Sequence, residues 1–334
     1  VEKDLLWTGS DDGLINVSKD GGKNWENVTP KDAPKFMMWN CVDVDPFKKG
    51  AAYFVGTRYK LDDYTPYIYK TEDYGKTWKL ITNGINKMHF TRAMRADHKR
   101  PGLLYAGTEF GMYISFDDGA NWKPFQLNMP VVPITDMTIK ENDLIVATQG
   151  RGFYVIDDLT VLKQVKADVA NKNLHVFDVN PGWRMPRNRF GRRFGGTAQN
   201  IGENPAGPLV ITYYSNAVTD STKASISIMD KNKKTIKTFS TDGKDKLDIK
   251  KGLNKFAWDL QYPPAEPSEG MILWNGAPGT ITAAPGNYFA MVKVGTDSTV
   301  VPFSIKADPN YRMTQEAYEE QFNFLLSVQQ KFND

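Results

Sequence analysis

The chain has 334 residues, with 42 lysine and arginine residues against 39 aspartate and glutamate residues, which gives a formal net charge of +3. This balance is too small to predict nucleic-acid binding, and no run of about 18 apolar residues exists that could span a membrane. The single cysteine, Cys41, excludes an internal disulfide framework, and its apolar strand context predicts a buried thiol.

Three copies of one octet punctuate the first half of the chain. They read SKDGGKNW, TEDYGKTW and SFDDGANW and begin at residues 18, 71 and 115. Their spacing of about 50 residues is typical of radially repeated β-sheets, the blades of a propeller. The sequence therefore predicts an all-β fold whose first part is a β-propeller.

Each octet has the composition of a tight turn. Its Ser or Thr and its Asp can bond the local backbone, its Gly tolerates a positive φ, and its Trp supplies a large apolar anchor. We therefore interpret these residues as structural. The predicted turn residues are Ser18, Asp20, Gly22, Trp25, Thr71, Asp73, Gly75, Trp78, Ser115, Asp117, Gly119 and Trp122.

Strand-like segments around the octets extend the repeat. Residues 41–50, 94–102 and 137–143 resemble the innermost strand of successive blades and its exit turn. About three and a half blades are thereby predicted within residues 1–160, the last without an octet. Because closed propellers usually have at least four blades, we expect the remaining blades upstream or in another chain.

The octets resemble the Asp box of bacterial neuraminidase repeats, which sialidases, xyloglucan-cleaving propellers and sortilin-type receptors share. More narrowly, residues 6–25, 66–78, 107–122 and 146–162 resemble a group of bacterial sortilin-like proteins that are often labelled glycosyl hydrolases. The resemblance implies a propeller followed by a β-sandwich and a helix. It also implies a secreted, periplasmic or outer-membrane-associated protein at the cell surface.

The second half changes character after Asp158. Residues 159–177 are expected to form an exit strand, a polar connector and a re-entry strand, with a linker at 161–172. Short alternating strands between Gly, Asn, Asp and Pro turns then predict an immunoglobulin- or fibronectin-like sandwich over 173–308. A helical period after Thr314, placed as an N-cap, predicts a C-terminal helix within 309–334.

Ligand-facing residues of a propeller cluster where the innermost strands begin, around the mouth of the channel. Alignment of these strands makes Trp39–Asn40, Thr91–Arg92 and Ile134–Thr135 equivalent pairs. The alternative is that they are ordinary packing and loop residues. The predicted ligand-binding set is Trp39, Asn40, His89, Thr91, Arg92, Thr135 and Asp136.

A second candidate is the arginine-rich segment at residues 183–194, where no acidic residue interrupts the positive charge. Guanidinium groups beside aromatic rings suit an anionic glycan, a phosphate or an acidic protein surface. Alternatively, the segment clamps the sandwich to the propeller. Its predicted anion-binding residues are Trp183, Arg184, Arg187, Arg189, Arg192 and Arg193.

Two classes of function remain open. A glycoside hydrolase needs two carboxylates about 5 to 10 Å apart on one sugar, and no such pair can be assigned here. No metal-ligand spacing or phosphate-cradling loop is present, so neither a metal nor a cofactor is predicted. We therefore predict a non-catalytic binding or scaffold segment of a larger exported bacterial sortilin-like propeller protein, which engages glycan or protein. The alternative is part of a sialidase- or xyloglucanase-like hydrolase whose catalytic carboxylates lie mostly in the missing blades.

Overall fold

The computed structural model describes residues 2–185, 207–266, 270–272 and 279–333. The chain divides into two compact units, Val1–Lys163 and Gln164–Asp334. Both are built from β-sheets, as the composition and turn pattern predicted, and one long helix lies at the C-terminus. Within the described ranges, no helix combines the length and the apolar character that a membrane crossing requires.

The first unit contains four antiparallel sheets, each of which follows the order of its strands along the chain. The first sheet consists of β1 (Leu6–Gly9), β2 (Ile15–Ser18) and β3 (Glu26–Asn27). The second consists of β4 (Met38–Val44), β5 (Ala52–Arg58), β6 (Asp63–Thr71) and β7 (Lys79–Leu80). The third consists of β8 (Thr91–Ala96), β9 (Leu104–Thr108), β10 (Gly111–Ser115) and β11 (Lys123–Pro124). The fourth consists of β12 (Ile134–Lys140), β13 (Asp143–Thr148) and β14 (Phe153–Ile156).

Neighbouring sheets of this unit pack face to face. Strand β8 contacts both β4 and β12, so the first strands of the second, third and fourth sheets are neighbours. Strands β9 and β10 are buried along their whole length, which explains their continuous apolar sequence. One core joins Tyr53 and Ile68 of the second sheet to Met94 and Leu104 of the third. Full burial of such side chains contributes about 1.5 to 3 kcal/mol each.

The octets form the turns between the last two strands of each of the first three sheets. In the third octet the Ser115 hydroxyl donates to Asp117 (2.8 Å) and accepts from the Gly119 amide (2.9 Å). The Asp117 carboxylate also accepts from the backbone and side-chain nitrogens of Asn121, each at 2.8 Å. The other two octets repeat this arrangement. Their glycines have φ of +91°, +82° and +80°, as the turn requires.

The tryptophans of the second and third octets bond to the preceding sheet. The Trp78 indole donates to the carbonyl of Val28 (2.6 Å), and the Trp122 indole donates to that of Ile81 (2.7 Å). Each acceptor follows directly after the last strand of the preceding sheet. Trp25 instead bonds the backbone of its own octet (3.1 Å) and is 45% exposed.

The described residues of the second unit form two sheets and one long helix. Its strands are β15 (Leu174–Val176), β16 (Gly182–Arg184), β17 (Leu209–Ser215), β18 (Ala224–Met229), β19 (Thr235–Ser240), β20 (Gly252–Trp258), β21 (Gly286–Val294) and β22 (Asp297–Ala307). One sheet has the order β15-β17-β20 and the other has the order β16-β22-β21-β18-β19. Buried residues of both sheets, among them Ile211, Trp258 and Ile226, form one core.

A short helix at the end of the first unit corrects the sequence prediction. The expected exit strand after Leu159 is instead a short helix, α1 (Thr160–Gln164), followed by a 3-10 turn at Ala167–Asn171. The Asp158 carboxylate accepts from the Thr160 amide (2.9 Å), which favours a helix start over an extended strand. The predicted C-terminal helix is confirmed as α2 (Gln315–Asn333), where Thr314 accepts from the Ala317 amide (3.3 Å).

Candidate functional site

A β-bulge occurs at the same place in three first strands. Strands β4, β8 and β12 each skip one residue in their pairing with the second strand of their sheet. The skipped residues are Asn40, Arg92 and Thr135, one from each sheet. A bulge redirects the side chain of the residue that it leaves unpaired. The three sheets therefore interrupt the regular in-and-out alternation of side chains at equivalent residues.

The three bulged residues line one cavity of about 300 Å³. Four of the residues predicted to face a ligand therefore come together here. The cavity is lined by Asn40, Cys41, Val42, Arg92, Ala93, Arg95, Thr135 and Asp136.

Arg92 is held in a fixed orientation at this cavity. Its Nε donates to Glu109 Oε2 at 2.5 Å. Its guanidinium carbon lies 5.2 Å from the ring centre of Phe90 and 5.7 Å from that of Tyr59, and these two rings stack on each other. The ion pair and the cation–π contacts fix the guanidinium plane, which is the arrangement that planar anions such as carboxylates require.

Arg95 is the second cation of the cavity, and sequence reasoning missed it. Its Nη2 donates to Asp136 Oδ1 at 2.6 Å, across from the third sheet to the fourth. Its Nη1 donates to the Met94 carbonyl (2.7 Å) and to Cys41 Sγ (2.8 Å) of the second sheet. Arg95 thus joins the first strands of three sheets beneath the bulges.

Cys41 and Asp43 lie beside this arginine on β4. Cys41 is only partly buried, and not the fully buried thiol that the sequence predicted. Desolvation nevertheless raises the pKa of its thiol above the usual range, which favours the protonated form. Burial also raises the pKa of Asp43, although its carboxylate accepts from the Ala96 amide at 2.8 Å.

Two predicted ligand residues, Trp39 and Thr91, lie in the core and not at the cavity. Trp39 is 7% exposed, and its indole donates to the Gly13 carbonyl at 3.0 Å. The Thr91 hydroxyl accepts from the Tyr67 amide (3.1 Å) and donates to the Tyr67 carbonyl (2.9 Å). Both residues connect their sheet to the preceding one, because the bulge turns only the next residue towards the cavity.

His89, also predicted to face a ligand, does not line the cavity. Its Nδ1 is 2.9 Å from the Tyr113 hydroxyl, and its ring centre lies 4.8 Å from that of Phe110. Burial lowers the pKa of His89. The residue therefore supports the loop between β9 and β10 as a neutral imidazole.

The arginine-rich segment is described only at its beginning. The Arg184 guanidinium lies 4.8 Å from the ring centre of Tyr318 and donates to Gln321 at 2.9 Å, so it holds α2 against its own unit. Trp183 is 41% exposed, with the Lys306 ammonium 5.5 Å from its ring. The other predicted anion-binding residues lie outside the described residues; they are Arg187, Arg189, Arg192 and Arg193.

The bulge explains why Arg95 was missed. Regular strand alternation places residues 92 and 94 on one face and residue 95 on the other. A skipped residue at Arg92 reverses the alternation beyond it, and Arg95 then shares the cavity with Arg92. Two arginines three residues apart in the segment TRAMRA were the available signal, but they become informative only once a bulge is assumed.

The comparisons with known proteins agree with the repeat. The family model described as Sortilin-Vps10 (Sortilin, neurotensin receptor 3) matches residues 13–152, and the resemblance to sortilin-like propeller proteins is confirmed. No curated protein is similar enough in sequence to match.

Similar solved structures include propeller proteins at low sequence identity. The structure titled YCF48 bound to D1 peptide is 20% identical, with 46% of this chain and 48% of that chain aligned and a TM-score of 0.36. YCF48 from Cyanidioschyzon merolae is 19% identical over 47% of this chain and 50% of that chain, with a TM-score of 0.36. The GH74 enzyme of Niastella koreensis is 12% identical over 92% of this chain and 49% of that chain, with a TM-score of 0.38. The chain thus spans about half the length of these structures.

Proposed function

We propose that this chain, whose residues 13–152 belong to the sortilin-like propeller family, is a binding segment that captures a carboxylate-bearing ligand at the bulged edge of its first unit. One observation carries the proposal. Equivalent bulges in three sheets direct Asn40, Arg92 and Thr135 into a single cavity.

The chemistry of this cavity suits an anion with further polar groups. Arg92 offers a guanidinium whose plane is fixed, and charge-assisted bonds to such a group are about twice as strong as neutral ones. The Asn40 amide supplies both donors and an acceptor, and the Thr135 hydroxyl supplies one of each. The lining holds two arginines against one carboxylate, and the neutral Asn40 and Thr135 lie beside them, which fits a carboxylate on a larger polar ligand.

The hydrolase alternative is less well supported by the same residues. Glycoside hydrolysis requires two carboxylates that flank one bond. The described lining of the cavity supplies one carboxylate, Asp136, and that group is already paired with Arg95. A catalytic pair would therefore need a second carboxylate from elsewhere.

The wider architecture remains part of this proposal. We interpret the four sheets of the first unit as successive propeller blades and the second unit as a β-sandwich, because its two sheets share one core. The half-exposed Trp25 fits a further blade in front of the first sheet. The resemblance to bacterial sortilin-like proteins further leads us to propose that the chain is part of a larger exported protein at the cell surface.

The proposal is tested by measuring binding of the full chain to two fluorescein-labelled probes, a hexaglutamate peptide and an oligogalacturonate. We expect Arg92→Ala to weaken binding of at least one probe about tenfold, since a hydrogen bond to a charged group contributes about 1.5 to 3 kcal/mol. Arg312→Ala, at an exposed arginine of the second unit, is the matched control and should bind like the parent chain.

Two results would overturn this assignment. One is that neither probe shows binding that depends on Arg92. The other is turnover of aryl-glycosides by the purified chain that Asp136→Asn abolishes, since this would place catalysis at the cavity.

A further inference from the structure

The second unit contains a cavity that the proposed function does not use. We call it the helix cavity, because α2 forms one of its walls. It has a volume of about 490 Å³ and lies where α2, the turn between β18 and β19 and the start of β21 meet. This volume is within the range of small-molecule sites in proteins, which is roughly 300 to 1,000 Å³. All residues that line it belong to the second unit.

Helix α2 is anchored on either side of this cavity. Near the start of the helix, the Gln315 side chain donates to the Pro285 carbonyl (2.8 Å). Near its end, the Gln329 side chain donates to the Pro263 carbonyl (2.8 Å). These two anchors are separated by about four turns of helix. The helical residues of the lining begin one turn after the first anchor and end beside the second, so hydrogen bonds fix this wall of the cavity.

Aromatic rings form much of the apolar part of the lining. The rings of Tyr262 and Phe322 meet at an angle of 66° with their centres 5.0 Å apart, and both residues are half-buried. Tyr288 lies deeper: it is buried, its hydroxyl donates to the Ala284 carbonyl (2.8 Å), and its ring stacks on Phe303. Tyr288 is therefore fixed from below, whereas part of the other two rings is accessible to a ligand.

The charges of the lining balance one another. It contains two lysines, Lys231 and Lys234, and two carboxylates, Asp230 and Glu319. Asp230 accepts from the Lys234 amide (2.9 Å), and Glu319 accepts from the Gln315 side chain (2.9 Å). The cavity of the first unit differs, since its lining holds two arginines against one carboxylate. The helix cavity therefore offers little net attraction to an ion of either sign.

The charged residues next to the lining in sequence add little to this balance. Lys237 pairs with Asp245 at 2.9 Å. Lys331 and Glu320 are one charge of each sign. The remaining cation is Lys233, whose ammonium lies 5.3 Å from the centre of the Phe289 ring. One excess cation that already contacts an aromatic ring does not make an anion site.

Uncharged polar side chains complete the lining. They are Thr235, Asn287, Asn323 and Gln330, and all four are exposed. Within the part of the chain that the structure describes, none of these four side chains forms a hydrogen bond to another residue. Each amide supplies two donors and an acceptor, and the hydroxyl supplies one donor and an acceptor. A ligand with many hydroxyl groups can therefore bond to them without displacing a protein partner.

We propose that the helix cavity is a binding site for a neutral oligosaccharide. The hydroxyl groups of the sugar would bond to the free amides, and the C–H groups of a sugar ring would lie against Tyr262 and Phe322, because an aromatic face carries partial negative charge. This inference goes beyond the proposed function, which concerns a carboxylate ligand in the first unit.

Other classes of ligand fit this lining less well. A purely apolar ligand would remove amides and charged groups from water without giving them partners, which costs free energy. An anion would meet as many carboxylates as lysines. An extended peptide is commonly bound through backbone hydrogen bonds along a sheet edge, whereas the free polar groups here belong to side chains. A neutral polyol with ring faces uses both parts of the lining.

The test is isothermal titration calorimetry of the full chain with maltohexaose, cellohexaose and mannohexaose. We expect at least one of these neutral sugars to bind at millimolar concentration. Asn287→Ala combined with Asn323→Ala should weaken that binding about tenfold, because it removes two hydrogen-bonding side chains. The matched control combines Asn171→Ala with Asn216→Ala, two exposed amides of the second unit outside the cavity, and should bind like the parent chain.

A second variant tests the aromatic part of the site. Phe322→Leu keeps an apolar side chain in contact with Tyr262 but removes the ring, and should weaken sugar binding at least threefold. Thermal melting followed by circular dichroism establishes that each variant is folded. If the Phe322→Leu variant unfolds, the exposed amide variant still decides the outcome, since neither of its two positions is buried.

The outcomes separate this inference from the proposed function. Absence of binding by all three sugars overturns the helix cavity as a saccharide site, as does binding that is unchanged in the folded amide variant. Sugar binding that Arg92→Ala removes also overturns it, because the sugar would then lie in the first unit. Sugar binding that depends on the amides, with no Arg92-dependent binding of hexaglutamate or oligogalacturonate, supports the helix cavity and overturns the proposed function alone.

Discussion

The two ends of each sheet in the first unit differ in how their geometry is specified. At the octet corner, the Asp117 carboxylate is bonded by groups no more than four residues away, and its Gly adopts the positive φ that the turn needs. At the bulged end, Arg95 contacts Cys41 and Asp136, residues 54 and 41 positions distant. The corner is a local structure, whereas the cavity exists only when three sheets are assembled.

The repeated octet sequence and the cavity therefore lie at opposite ends of the same sheets. An octet can be recognised from sequence alone because the donors and acceptors of its turn lie within eight residues. The bulged ends have no common letters, since Asn40, Arg92 and Thr135 share only their position in the strand. The repeated octet is thus a structural turn, and under the proposed function the bulged end is the part that would distinguish a ligand.

The largest expected effect tests whether the corner depends on a neighbouring sheet. Trp122 is 3% exposed and bonds the preceding sheet, so Trp122→Ala should lower the free energy of unfolding by about 3 to 5 kcal/mol. Trp25 occupies the same octet position but is 45% exposed, and Trp25→Ala should cost roughly 1 kcal/mol. Urea denaturation followed by circular dichroism measures both. Equal losses would show that contacts within the octet, and not the contact with the preceding sheet, determine how much the tryptophan contributes to the free energy of unfolding.

The next effect tests the residues on the core side of the bulge. Thr91→Ala leaves the buried Tyr67 amide without its acceptor and should lower the free energy of unfolding by about 1 to 3 kcal/mol. Thr91→Ser keeps the hydroxyl and is the control, with a smaller loss expected from the missing methyl group. The affinity for the hexaglutamate peptide should stay the same in both variants. A weakened affinity in the folded Thr91→Ser variant would return Thr91 to the ligand-facing set.

Much of the first unit could be predicted from sequence because its signals are local. The octets predicted turns at the positions where the structure has them, and the helical period predicted α2. The helix α1 could not be predicted as readily, since five residues give too little periodicity and the Asp158 cap decides the outcome. The hydrogen bond from the Thr160 amide to Asp158 favours a helix there, although the apolar residues of the segment had predicted a strand.

The candidate site was predictable only in part. Alignment of the first strands placed Asn40, Arg92, Thr135 and Asp136 at one end of the sheets, and these four residues line one cavity there. Alignment could not tell Arg92, which lines the cavity, from Thr91, which is buried beside it. That distinction depends on the bulge, which follows from packing between sheets and leaves no local mark in the sequence.

The smallest expected effect concerns an ionic cluster that joins the second sheet to the third octet. The buried Lys70 ammonium contacts both Glu72 and Asp118, and Lys48 donates to Glu72 at 2.7 Å. Hydrogen bonds from Lys48 and Lys70 lower the pKa of Glu72 to about 2 from a usual value of 4.5. A carboxylate with a lowered pKa in the folded state stabilises the protein above its unfolded-state pKa and loses that contribution as the pH falls.

The contribution of Glu72 should therefore be complete above pH 4.5 and disappear as the pH falls through about 2. Because Glu72 is 48% exposed, solvent screening limits the effect to less than about 1 kcal/mol. Glu72→Gln should lower the free energy of unfolding at pH 7 by this small amount, and the difference from the parent chain should shrink as the pH approaches 2. Glu320→Gln, at an exposed position of α2, controls for the loss of one negative charge. A difference between the Glu72→Gln variant and the parent chain that stays constant from pH 7 to pH 2 would show that the cluster joins the sheets by shape and not by charge.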